Sequence, residues 1–393
     1  MSTLLVGRAP LTRPRIASEG VVVVALVASV VLLCYDQNLV GRGMMWLAPG
    51  VAVAAAYPKR VVQARLSAAL VVFVGWLLLV SLLAGLPSGT FMLLLLCGAI
   101  AVGAAVSTFG LDSVGRGLLA ACGVLVTVSV VACLTHWGRA IETDPLYSGA
   151  WRGVFNQKNT LGFTAALLLV LTVAYFRRLP RGLVYTLCAV GGLALIGARS
   201  VSAIGALLYA LVVFALLVIA RRHSGTVRSR HLFAILILIF VAFVSVLPHV
   251  LGRFGRDPTL TGRTVVWSTL WKDARADMTF GHGVGAYWFD GRSQASLDSL
   301  EARLHFRPGQ AHDGALDAIL DGGLPGLALL IALGIAVTRR ALVAYGTGCA
   351  WPLLVLVMAF MATTTERGLY SAPMLFVVAA VVSAPSLTSL PDA

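Results

Sequence analysis

The chain has 393 residues, of which 59% are hydrophobic and 12% charged, and its mean hydropathy is +0.91. That composition excludes a soluble packed domain and describes an integral membrane protein. The formal net charge of +14 would suit nucleic acid, but the cations gather in short connections between apolar runs, which is a pattern of membrane topology.

Runs long enough to cross a bilayer, about 20 residues each, fall near 20–35, 44–57, 67–86, 90–110, 117–135, 159–176, 182–198, 200–220, 231–252, 312–337, 341–362 and 369–385. The expected fold is an all-α polytopic membrane protein with about 12 transmembrane helices. Residues 1–252 hold about nine of them, 253–311 form one long loop, and 312–393 hold the remainder with a short polar tail. The first run follows Arg8, Arg13 and Arg15 but lacks a small-x-small cleavage site, so it reads as a retained helix. Basic stretches "PKRVVQAR" (58–65), "RRLPR" (177–181), "RRHSGTVRSR" (221–230) and Arg339-Arg340 fall in alternate connections. This places both termini in the cytoplasm and the long loop on the opposite, outer face. The cysteines (Cys34, Cys97, Cys122, Cys133, Cys188, Cys349) lack CxxC spacing and read as small core hydrophobes. No internal repeat suggests the inverted halves of a transporter.

Within the long loop, "TGRTVVWSTLWKDAR" (261–275) sets Val266, Trp267, Leu270, Trp271 and Ala274 opposite Arg263, Ser268, Lys272 and Arg275. The spacing predicts an amphipathic helix lying on the membrane surface, with tryptophans at headgroup level and cations toward lipid phosphates. The alternative is a lid helix that covers the bundle. The middles of the spans are almost bare of ionisable residues, which favours chemistry at one membrane face over passage through the bilayer.

Four groups of residues carry that chemistry. Arg199 interrupts a hairpin between two apolar runs, flanked by serines; it is either a snorkelling anchor or a phosphate ligand, since guanidinium matches phosphate oxygens bidentately. Arg263 heads the amphipathic helix, where Thr261 or Thr264 would cap and free N–H groups favour an anion. His312 opens an apolar helix after "RPGQA" and suits proton transfer near neutrality. Asp313, Asp317 and Asp321 repeat at i, i+4, i+8 on one face, which either binds a polar sugar or is simply wetted.

Weaker signals are Lys158 and Asn159 at the lip of a helix in "RGVFNQKNTLG" (152–162), for phosphates or hydroxyls or as a helix anchor, and "GHGVGAYWF" (281–289), whose glycines lack a nucleotide-binding context. Glu366-Arg367 reads as a local ion pair with no assigned role. One histidine with separated aspartates gives no metal first shell, and no Asp-x-Asp pair of a nucleotide-sugar transferase is present.

In order and separation, "GVFNQKNTLG", "ARS", "TGRTVVW", "GHGVGAYWF" and "AHDGALDAILDGGLPGL" resemble the O-antigen ligase and Wzy-type polymerase family of bacterial membrane glycosyltransferases, over roughly residues 150–365. The resemblance implies a glycan donor linked to undecaprenyl pyrophosphate, used at the periplasmic face of the inner membrane without metal or other cofactor. It implies Arg199 and Arg263 as pyrophosphate ligands and His312 as the catalytic group acting on an acceptor hydroxyl. Lys158, Asn159 and Asp313 are further substrate-binding candidates. Two departures bear on acceptor recognition: Asp313 follows the histidine where the family often has Asn, and Gln157 precedes Lys-Asn where it often has His.

The implied partners are that donor, an acceptor glycan (a lipid-linked repeat unit for a polymerase, lipid A–core or a protein for a ligase), membrane lipids, and a chain-length regulator or export partner; nucleic acid is not among them. The "GVFNQKN" segment leans toward the polymerase branch. A flippase or exporter for lipid-linked glycans, or a scaffold in an export complex, are the readings from other classes; a flippase needs charges through the depth of the membrane.

Overall fold

Gly, Pro and basic residues punctuate the apolar runs, and between them the chain folds into helices. The computed structural model describes residues 67–85, 109–143, 147–224, 263–289, 293–305 and 308–384, with single positions between 98 and 107 and at 238 and 241. In chain order these hold α1 (Ala68–Leu83), α2 (Leu111–Leu134), α3 (Lys158–Tyr175), α4 (Arg181–Ala198), α5 (Val201–Ser224), α6 (Arg263–Ala276), α7 (Gln294–Leu304), α8 (Gly314–Gly346), α9 (Trp351–Thr363), a 3-10 turn (Gly368–Tyr370) and α10 (Ala372–Ser383). A single helical turn, Ala286–Phe289, precedes α7. Among the described residues the only β feature is one isolated bridge, Ile141 to Trp151.

Of these helices, five (α2, α3, α4, α5 and α8) are long and apolar enough to cross a membrane, and α1, α9 and α10 are shorter apolar helices. The described residues are thus essentially all helix and connection, and the protein is a multi-pass membrane protein. The expected spans 20–35 and 44–57 lie outside the described residues, as do most of 90–110 and 231–252.

Helix α9 is the axis of the bundle. It is buried on nearly every side, from Trp351 through Ala362, and packs against α5, α8 and α3; a helix apolar all round belongs inside. Helix α3 in turn packs against α2, α4 and α5. At one end of the bundle, the Trp351 indole donates to the Leu111 carbonyl (2.9 Å) and Arg178 pairs with Asp112 (2.6 Å). At the other end lie the starts of α3 and α8, the α4–α5 junction and the segment after α9.

Two sequence expectations change. The break expected at Arg339-Arg340, between helices over 312–337 and 341–362, lies further on: α8 runs to Gly346 and α9 begins at Trp351. Nothing around Arg339-Arg340 breaks a helix, and the turn waits for Gly348, whose φ of 95° suits glycine. Second, the amphipathic helix forms as α6, but most of its apolar face is covered by protein, with Trp271 left exposed. Val266, Leu270 and Ala274 are buried in a cluster with Tyr287, Trp288, Leu297, Leu300, Ile319 and Leu320. Helix α7, unmarked in the sequence reading, and the start of α8 supply the covering surface, so the lid alternative describes α6 better than a free surface helix.

Helix α8 bends at Gly323 (φ 67°, ψ −169°), two residues before Pro325. The bend frees backbone groups that the 278–283 segment takes up. Leu324 N–H donates to the Met278 carbonyl (2.7 Å), while His282 and Gly283 N–H donate to the carbonyls of Leu320 (2.7 Å) and Asp321 (3.1 Å). The "GHGVG" glycines therefore serve docking. Gly281, at φ 67°, has room for no Cβ, which would lie 2.7 Å from both Gly323 N and the Leu320 carbonyl oxygen.

Candidate functional site

Four predicted or adjacent groups converge on one carboxylate, Glu366. Its Oε1 accepts from the Asn159 side-chain amide (2.9 Å) and from Arg263 (3.4 Å). Its Oε2 accepts from the Gln310 amide (2.9 Å) and lies 3.0 Å from His312 Nδ1. The side chains of Glu366, Arg263 and His312 are 12%, 14% and 24% exposed, so the cluster is mostly withdrawn from solvent yet still reachable at the imidazole. The turn after α9 delivers Glu366, the start of α3 delivers Asn159, the start of α6 delivers Arg263, and the loop into α8 delivers Gln310 and His312.

Glu366 and Arg367 are not a local pair as the sequence suggested. Adjacent residues point to different partners: Arg367 reaches Asp317 (3.3 Å), whose side chain is fully buried. Asp317 also accepts the Ala311 amide (3.2 Å), and the Trp267 indole donates to the Ala311 carbonyl (2.9 Å). Asp313 caps α8 by accepting from the amides of Ala315 and Leu316 (2.9 Å each). These bonds hold His312 in the left-handed region, at φ 53°, a conformation that a non-glycine residue keeps only when its surroundings enforce it and that is frequent at functional sites. Asp321 is fully buried and accepts the Gly285 amide (2.9 Å). Of the aspartate face, then, Asp317 and Asp321 are turned into the protein.

The remaining cations face a second feature, the 147–149 turn. Lys158 Nζ sits 4.2 Å from the centroid of the Tyr147 ring, and Arg199, exposed at the C-cap of α4 (φ 50°), points Nη1 at the Ser148 carbonyl at 3.5 Å. Arg263 feels the Tyr147 phenol electrostatically. Burial pushes Arg263 down from its usual pKa, while Glu366 and Tyr147 hold it up; a guanidinium starts so high that it stays charged. The turn is fixed by the Ile141–Trp151 bridge, the Trp151 amide on the Gly197 carbonyl (2.8 Å) and the Arg152–Glu142 ion pair (3.5 Å). A link joins the two features: Ser200, next to Arg199, donates to Asn159 Oδ1 (3.0 Å), and Asn159 donates on to Glu366.

Beside Glu366 a cavity of about 250 Å³ opens between α3, α9 and the turn after α9. Gln157, Asn159, Gln310 and Glu366 line its polar part, and Phe163, Leu167, Met358 and Met374 its apolar walls. Among the described residues, no three His, Cys, Asp or Glu side chains gather as a metal site. The predicted cap Thr261 lies outside the described residues.

Three members of this arrangement, Arg199, Arg263 and His312, lie within a recognisable stretch of chain. Residues 184–331 match the O-antigen ligase family. The resemblance carried by the motifs is thereby borne out. The chain is also 31% identical over 239 residues to the "Exopolysaccharide production protein ExoQ" of Rhizobium meliloti (strain 1021). That alignment covers 58% of this chain and 53% of the relative, so the chain spans about half the length of the curated relative it matches. The family match contains Arg199, Arg263, His312 and Asp313, whereas Lys158, Asn159 and Glu366 lie outside it. Glu366 is the residue sequence reasoning missed. Its signal was weak: an acid in a polar "TTTERG" stretch whose partners are scattered along the chain.

Proposed function

We propose that this protein is a membrane glycosyltransferase that moves a glycan from undecaprenyl pyrophosphate to an acceptor sugar hydroxyl at the periplasmic face of a bacterial inner membrane. The observation that carries the reading is the convergence of His312, Arg263 and Asn159 on Glu366, tied through Ser200 to the Arg199 corner. The positive-inside pattern supports the orientation, since Arg177, Arg178 and Arg181 lie at the α3–α4 turn, the end of the bundle opposite the site. Both termini would then be cytoplasmic.

In this mechanism the donor's pyrophosphate lies between Arg199 and Arg263, with Lys158 adding charge, and its isoprenoid tail follows the apolar walls beside Phe163 and Met358. Neutral His312 accepts the proton of the acceptor hydroxyl as that oxygen attacks the anomeric carbon. The bond from that carbon to the phosphate oxygen breaks, its electron pair leaves on undecaprenyl pyrophosphate, and the arginines stabilise the growing charge. Direct displacement inverts the anomeric centre and needs no covalent enzyme intermediate. Asn159 and Asp313 border the acceptor's approach. No metal or other cofactor enters this scheme.

The acceptor distinguishes two functions. Similarity to an exopolysaccharide production protein favours the polymerase, and the family description, O-antigen ligase, favours the ligase. The test is reconstitution of purified protein with an undecaprenyl-pyrophosphate oligosaccharide, following lipid pyrophosphate release and glycan length. Lengthening of the lipid-linked glycan alone supports the polymerase; turnover only with added lipid A–core supports the ligase; absence of transfer to any acceptor refutes the glycosyltransferase reading in favour of transport.

A further inference from the structure

We propose that Glu366 is the positioning residue of the site, holding His312 with its proton on Nδ1 so that Nε2 is left as the base, and coupling that base to Arg263. The inference rests on the reading of His312 as the group that activates an acceptor hydroxyl, and goes beyond it by assigning the tautomer and the residue that sets it.

An ionised carboxylate only accepts hydrogen bonds. The groups around Glu366 must therefore all present hydrogens: the Asn159 and Gln310 amides, the Arg263 guanidinium, and His312 at Nδ1. Gln310 Nε2 also lies 3.2 Å from His312 Nδ1. That amide could donate to Nδ1 only in the other tautomer, which would set a bare Nδ1 lone pair against the carboxylate oxygen Oε2 at 3.0 Å; the carboxylate contact therefore decides for Nδ1–H. With the hydrogen on Nδ1, the neutral ring carries its lone pair on Nε2, turned away from the carboxylate. As Nε2 takes up the acceptor's proton, the imidazolium forms 3.0 Å from a negative charge that is already in place.

The two oxygens divide the work. Oε2 serves the base, and Oε1 serves Arg263, which on this reading also holds the donor's pyrophosphate. Donor and base are thus fixed in one frame, anchored to the end of the central helix α9. The other charges near His312 are Asp313 on its own segment, the buried Asp317–Arg367 pair from α8 and the turn after α9, and Arg263 from α6. Glu366 is the carboxylate in contact with the ring.

The test compares E366Q with the unsubstituted protein in the reconstituted transfer assay across pH, with His312→Ala as the reference. Removing the negative charge while keeping the shape leaves the imidazolium less stabilised. In E366Q, kcat is expected to fall at least tenfold and the acid limb of the kcat profile to move to lower pH, with E366D recovering part of the rate. A purely structural role would lower the yield of folded protein without moving that limb. An E366Q enzyme with unchanged kcat and an unshifted limb overturns the proposal while leaving His312 as base intact; a His312→Ala enzyme with full activity overturns the parent reading instead. Nitrogen NMR of His312 in the unsubstituted protein provides an arm independent of any variant's folding: a proton on Nδ1 is expected, and a ring protonated on Nε2 alone contradicts the assignment.

Discussion

Arg367 reaches inward to pair with Asp317, and the same fully buried carboxylate accepts the amide of Ala311, the residue before His312. The pair is thus the footing of the histidine. Breaking a buried ion pair by removing one partner strands the other charge, at a cost of about 3–5 kcal/mol. Arg367→Ala is expected to lower the melting temperature in detergent markedly and to release the left-handed conformation of His312. Unchanged thermal stability in this variant would contradict the footing.

Asp313 gives a second, pH-dependent signature. Burial pushes its carboxyl above the ordinary value, opposed by the Leu316 and Ala315 amides and aided by Asp317. The folded state then binds more protons than the unfolded one between the ordinary and the raised pKa, so stability falls as pH rises through that window. Asp313→Asn keeps a capping oxygen and should flatten this slope, whereas Asp313→Ala loses the cap, at about 1 kcal/mol. Thermal melts of both variants across acid pH would show it.

The docking of "GHGVG" on the bend of α8 predicts intolerance at Gly281. A Cβ there would sit 2.7 Å from Gly323 N, on a backbone at φ 67°. Gly281→Ala should destabilise by about 1–3 kcal/mol, more than Gly182→Ala, where a Cβ meets nothing within 4 Å. Equal melting temperatures for the two would remove the packing argument.

Much of this was legible in the sequence and some was not, for physical reasons. Periodicity found α6, because a buried stripe repeats with the helix, and run length found the apolar spans. It could not say whether protein or bilayer covers that stripe, since Val266 and Leu270 look the same against either. His312 stood out through its place at a helix start. Glu366 did not, because a carboxylate acquires its role from Asn159, Arg263, Gln310 and His312, which are far apart along the chain and meet only once α3, α6, α8 and α9 have packed. The aspartate spacing was correct as geometry, yet a shared helical face does not reveal that Asp317 finds Arg367 and Asp321 the Gly285 amide.

The arginines should respond to more than loss of charge. If both bind pyrophosphate oxygens, Arg263→Ala is expected to lower the transfer rate about 10²-fold, in the range of losing one strong donor to a developing anion. Arg263→Lys should recover little of it because the fork geometry is lost. Arg199→Ala should weaken donor binding in the same sense, read as competition by inorganic pyrophosphate. Wild-type rates in both alanine variants would remove the pyrophosphate assignment.

The most direct measurement is lipid pyrophosphate release from an undecaprenyl-pyrophosphate oligosaccharide by reconstituted His312→Ala beside the unsubstituted protein. The account predicts that the variant still binds the donor but turns over at least about 10²-fold more slowly, the contribution expected of a positioned general base. Turnover at the unsubstituted rate would contradict it.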